Sequence, residues 1–287
     1  VAVAFRAGLF NIGVAGQMLV SGFFATIIVG YSGLDAVIAK PLVLLIGIVT
    51  GGLMGGLVGW LKYKFNINEV VSTIMLNYIA QYVISFFIQM YYIDPVSRQS
   101  KYISEAARLT LSNVEIGALK MDIPLGFVLA IITAILIKIL MDKTVVGFDI
   151  KAVGSNRNAA KYAGINVGRN TVLAMVISGS LAGLAGVTYY LGYYASIQPK
   201  VLSDIGFDSI AVALLGNSHP IGVIFSSSLI SIIDQGSTYM SSQAGIRQEI
   251  SSVIVGLILL FSACGVYLKY KVSRMNEKEA ERKGSKS

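Results

Sequence analysis

The sequence predicts an all-α fold: a polytopic integral membrane helical bundle with broken or re-entrant helices. Three observations carry that expectation. Of 287 residues, 55% are hydrophobic and only 13% charged, against about 25% charged in soluble domains. Five apolar segments, 41–61, 70–93, 123–141, 171–193 and 250–268, are each long enough to cross about 30 Å of hydrocarbon as a helix. Two further apolar regions, 1–30 and 205–233, are interrupted by polar and glycine-rich clusters. Backbone left unpaired at membrane depth is tolerated only where protein or a water-filled cavity satisfies it.

Taken in order, the first region is broken at Asn11-Ile12-Gly13-Val14-Ala15-Gly16-Gln17. A half-helix starting there would offer free N–H groups to a polar ligand, which makes Asn11 and Gln17 candidate substrate-pathway residues. Segment 41–61 carries Gly47, Gly51, Gly55 and Gly59 four residues apart, and 171–193 repeats the device with Gly179, Gly183 and Gly186. Small residues at that spacing let helix backbones approach closely in lipid, here within one subunit. Segment 70–93 carries Thr73, Asn77, Gln81, Ser85 and Gln89. A four-residue step turns only about 40° on a helix, so Thr73, Asn77 and Gln81 share a face that lines either a helix–helix contact or a cavity, and its span of almost the whole membrane favours a substrate route. In the last interrupted region, Gly216-Asn217-Ser218-His219-Pro220 separates 205–215 from 219–233, each too short to span alone. Asp204 and Asp208 favour the start of the first piece, and Asp234 is expected to end the second. His219, the single histidine, is a helix-end or hydrogen-bonding residue and a candidate substrate contact.

The net charge of +8 comes from short basic clusters at the ends of apolar segments, so it indicates no nucleic acid. Lys62 and Lys64 lie in one loop, Lys143, Lys151, Arg157, Lys161 and Arg169 in a second, and seven more lysines and arginines in a tail from 269. Lys/Arg-rich loops stay in the cytoplasm, and all three share that side if 205–233 adds no net crossing. The polar stretch 142–170 also carries a helix start, with Ser155 or Asn156 as N-cap and a run that stops at Gly164. A random solvated loop has no need of a capped helix.

Several functions are excluded. One cysteine, Cys264, allows neither a disulfide framework nor a Cys-based metal site, and one histidine cannot assemble a metal set or a Ser/His/Asp constellation. No G-x-x-x-x-G-K-[ST] loop is present to bind ATP. No enzyme, cofactor or metal is expected, and the acid/Arg series of a proton-driven carrier is missing. The chain begins at Val1 inside an apolar run, and is expected to lack its natural N-terminus.

Four stretches, FNIGVAGQ at 10–17, NEVVSTIMLNYIA at 68–80, KAVGSNRNAAKYAGI at 151–165 and ALLGNSHPIG at 213–222, resemble the permease subunits of ABC importers. The family is the one that moves branched-chain amino acids, simple sugars and nucleosides, and NEVVSTIMLNYIA is most like its nucleoside permeases. The resemblance implies a transmembrane permease domain over 1–268, with a coupling loop at 142–170 and a basic cytoplasmic tail at 269–287. It implies three partners besides membrane lipid: an ABC ATPase subunit, a second permease completing a heterodimer, and an extracellular substrate-binding lipoprotein. It places Asn156, Arg157, Ala159, Ala160 and Gly164 on the short coupling helix that docks into the ATPase. Family members usually carry further membrane-spanning sequence before the NIG motif, and often Glu where this chain has Ala15, so no acidic role is assigned there. A ribose-type sugar permease and an ion-coupled carrier are the alternatives.

Overall fold

The computed structural model describes residues 1–116, 119–245, 247 and 249–261, with backbone alone over 111–124. The expected tail, Cys264 and the end of the 250–268 span lie outside the described residues. Among the described residues, four helices are long and apolar enough to cross a membrane: α3 (Ala36–Phe65), α4 (Glu69–Phe87, continued to Tyr92), α5 (Leu125–Lys143) and α8 (Val167–Val187, continued to Tyr194). Around them lie the shorter α1 (Ala2–Arg6), α2 (Val14–Ala25), α6 (Val145–Ser155), α7 (Arg157–Tyr162), α9 (Ile205–Leu215), α10 (Pro220–Ala244) and α11 (Ile250–Phe261). The chain is a multi-pass membrane bundle.

The α3–α8 seam sets the centre of the bundle. Glycines on the two helices face each other so closely that a Cβ on Gly51 would strike the carbonyl oxygen of Gly179, and one on Gly183 that of Gly47. The small-residue spacing therefore serves packing within one chain. α2 lies against this pair, with Gly186 pressed on the backbone of Met18, and apolar side chains from α2, α3, α4 and α8 fill the core. A second cluster, including Val3, Leu9, Met141, Ile150 and Met175, joins α1, α5, α6 and α8.

The bundle has two unlike ends. At the basic end, Lys62 pairs with Glu69 at 2.9 Å and Lys151 with Asp142 at 3.4 Å, and the polar stretch 142–170 folds into α6 and α7. At the opposite end α2, α4 and α8 each finish in a π-helical turn (Thr26–Gly30, Ile88–Tyr92, Thr188–Tyr194). Tyrosines gather at these turns: Tyr31 stacks on Tyr92 at 5.5 Å, and Tyr189 packs on Tyr190, Tyr193 and Tyr194. There the chain also forms an antiparallel hairpin, β1 (Thr110–Ile116) with β2 (Leu119–Pro124), an addition to an otherwise helical fold.

One expected boundary moves. Asp234 does not end a short segment at 233; it sits inside α10, which runs for 25 residues. The apolar run stops there but the helix does not; within it the Ser237 and Thr238 hydroxyls donate back to the Asp234 carbonyl (2.9 and 3.1 Å), so these polar side chains are accommodated without ending it.

Candidate functional site

The first interrupted region is a broken helix, and the second divides at the turn 216–219 into α9 and α10. α1 ends at Arg6, the chain then runs without regular structure to Gly13, and α2 begins at Val14. A second break, which the sequence reading did not mark, is the irregular segment 195–204, leading from the π-helical turn after α8 into α9 and meeting the first. Gly206, in the first turn of α9, lies so close to Ala15 that a Cβ there would fall 2.6 Å from the Ala15 nitrogen. Two half-helix N-termini therefore converge deep in the bundle, about 12 Å along α4 from Glu69 at 1.5 Å per residue. Their directions are opposite. α2 climbs to Gly30, whose carbonyl accepts the Ser104 N–H (3.0 Å). α9 descends to the turn 216–219, where the Arg6 guanidinium donates to the carbonyls of Ser218 and Asn217, both at 3.1 Å.

Four of the expected pathway residues come together at this convergence. Asn11, buried, donates to Gln17 Oε1 (3.1 Å) and to Ser178 Oγ (2.9 Å), and its own Oδ1 accepts from the Gly13 N–H (3.0 Å). Asn77 accepts from the Gly16 N–H (2.9 Å) and donates to the Ile12 carbonyl (3.0 Å). An α-helix leaves its first N–H groups without internal partners, and Asn77 supplies one to α2 while tying down the unwound strand before it. Thr73 is fully buried beside Gly13 and bonds to the Glu69 and Val70 carbonyls of its own helix. Gln81, one turn above Asn77, reaches the second break by donating to the Lys200 carbonyl (2.6 Å), and Ser85 accepts from the Lys200 N–H (2.7 Å). The polar stripe on α4 thus fastens both broken segments to one helix.

His219 lies apart from this group. It is the N-cap residue of α10, before Pro220, at the basic end where Arg6 holds the turn. Nearby, Asn156 rather than Ser155 caps α7: its Oδ1 accepts from the N–H groups of Asn158 and Ala159, both at 3.0 Å. Gly164 ends the run at φ +82°, a left-handed conformation that suits glycine, while the Ile165 N–H returns to the Ala160 carbonyl (3.0 Å). Arg157 and Ala159 are exposed and Ala160 is buried against its own chain. The sequence reading missed Tyr162, the neighbouring ring, which is 94% exposed. No group of residues able to hold a metal ion occurs among the described residues.

A repeat in the sequence matches this geometry. Asn11-Ile12-Gly13 before α2 corresponds to Asp204-Ile205-Gly206 at α9, and Asn68-Glu69-Val70-Val71-Ser72 to Gln248-Glu249-Ile250-Ser251-Ser252. α2 and α9 run oppositely, and discontinuous helices of this kind are where transporters place binding residues.

Comparison with known proteins agrees. The family model described as branched-chain amino acid transport system / permease component matches residues 1–263. The guanosine ABC transporter permease protein NupP of Bacillus subtilis is 37% identical over 283 residues, covering 98% of this chain and 80% of the relative. The nucleoside ABC transporter permease protein NupB of Lactococcus lactis is 38% identical over 270 residues, covering 91% and 74%. A second B. subtilis protein, the guanosine ABC transporter permease protein NupQ, is 27% identical over 226 residues, covering 76% and 70%. No solved structure matches the chain. With its converging half-helices, its membrane spans and a family match over almost its whole length, the chain belongs to the branched-chain amino acid-type permease family and is a membrane permease subunit of an ABC importer, not an enzyme.

Proposed function

We propose that this permease carries nucleosides, pairs with a second, non-identical permease, and receives its substrate from an extracellular lipoprotein. The ABC permease family works with an ATPase and a substrate-binding partner. The observation that carries the nucleoside reading is the near-full-length similarity to NupP and NupB, whose names specify guanosine and nucleosides. Two distinct guanosine permeases in B. subtilis, both similar to this chain, support a heterodimer.

In this reading the basic end faces the cytoplasm, as the Lys/Arg bias requires, and α7 with its Asn156 cap is the coupling helix. Arg157, Ala159 and the added Tyr162 face the ATPase. Ala160 and Gly164 shape the helix rather than touch the partner. Asn11, Gln17, Thr73 and Asn77 are positioning residues that hold the α2 break open, Gln81 secures the second break at the pathway edge, and His219 stands at the cytoplasmic exit.

The test is competition for uptake in cells carrying the complete transporter. Unlabelled adenosine and uridine should suppress uptake of labelled guanosine, and ribose and leucine should not. Suppression by ribose and not by nucleosides would move the reading to a sugar permease.

A further inference from the structure

The polar stripe on α4 has an aromatic neighbour that the reading so far leaves unused. Tyr78, Tyr82 and Phe86 recur every four residues, and their side chains are 53%, 64% and 54% exposed. Tyr78 and Tyr82 do not belong to the tyrosine cluster at the hairpin end. They lie about 13 and 20 Å along the helix from Glu69, in the middle of the membrane, and neither hydroxyl has a hydrogen-bond partner among the described residues. A tyrosine hydroxyl facing lipid at that depth would be left unsatisfied.

The second broken segment shows independently that this side is wet. Lys200 sits over Gln81 and Ser85, and Ser85 points only about 20° around the helix from Tyr78. From Lys200 the chain descends as irregular backbone to Asp204 and enters α9, where Gly206 meets Ala15. Asp204 and Asp208 are exposed along it, and exposed carboxylates at membrane depth face water rather than hydrocarbon. Irregular backbone, carboxylates and tyrosine hydroxyls thus border one face, on which Met75 is also exposed.

We infer that Tyr78, Tyr82 and Phe86 form a stacking rail for the nucleobase of the permeant beside the 198–208 segment. The inference rests on the nucleoside reading above. Rings four residues apart are spaced by about 6 Å of rise, so a base leaving one ring meets the next. Stacking is tolerant of base identity because every base has a π-face. The rail therefore accepts purine and pyrimidine nucleosides alike and gives nothing to a free sugar.

The experiment uses the complete complex, with its ATPase, second permease and binding protein, in proteoliposomes supplied with labelled guanosine. Tyr82→Leu should lower uptake about tenfold, as expected from losing one base–aromatic stack, with assembly and basal ATP hydrolysis unchanged. Tyr82→Phe, which keeps the ring, should stay near wild type. Unchanged uptake in Tyr82→Leu would make the face lipid-exposed and overturn the rail alone. Loss of uptake matched by loss of the second permease would make it a subunit contact and overturn the rail as well. A wild-type complex that imports ribose and no nucleoside would remove the nucleoside reading, and the rail with it.

Discussion

Arg157→Glu combined with Tyr162→Ala is expected to abolish ATP-driven uptake while leaving the permease folded in the membrane. α7 is short, but it is fixed at both ends, by the Asn156 side chain at its start and by left-handed Gly164 after its last turn. Its outward face carries a cation and an almost fully exposed ring. Exposed aromatics and arginines supply most binding energy where partners dock, at about 2 kcal/mol or more each. Losing the ring should weaken ATPase association at least about 30-fold, and reversing a charge adds repulsion where attraction stood. Co-purification of the ATPase measures this directly. Ala160 is the wrong place to test docking, since it is only 4% exposed and a larger side chain there would disturb the permease itself. Full ATPase recovery with the double variant would remove α7 from the coupling interface.

Asn77→Leu is expected to lower both transport and stability. Leucine has similar size but can neither accept from Gly16 N–H nor donate to the Ile12 carbonyl. A hydrogen bond between membrane helices averages about 0.6 kcal/mol, because the groups usually find other partners. These two are backbone groups at a helix break, so each left unpaired costs about 1–3 kcal/mol. Thermal unfolding of the purified permease should move down by several degrees, and uptake should fall with it. Val83→Leu, on the exposed side of the same helix, should change neither. An unshifted unfolding temperature in Asn77→Leu would mean that the α2 break is held by something else.

The spans, the capped loop helix and the two interruptions were legible because each rests on a local signal: apolar length, an N-cap residue, a glycine cluster. What Asn77 does was not. Its four-residue rhythm with Thr73 and Gln81 showed a polar face, but not that the face would bind backbone of chain segments 65 and 119 residues away. The extent of α10 was hidden because Asp234, Ser237 and Thr238 read as the end of an apolar run, although their hydrogen bonds lie within the helix. The hairpin had a signal that went unused: apolar and polar residues alternate over Val114–Ile116 and again from Leu119 to Ile123, with Gly117 between. The short likenesses NIG to DIG and NEVVS to QEISS were also in the sequence, but nothing local showed that α2 and α9 start together and run in opposite directions.

The central claim is that this chain forms the route and a separate ATPase drives it. Accumulation of labelled guanosine against a gradient in proteoliposomes tests that claim most directly, comparing the complete complex with the permease subunits alone. The account predicts accumulation only with the ATPase present and ATP supplied, and none from the permease subunits under a proton or sodium gradient. Accumulation by the permease subunits under an ion gradient, without the ATPase, would contradict it.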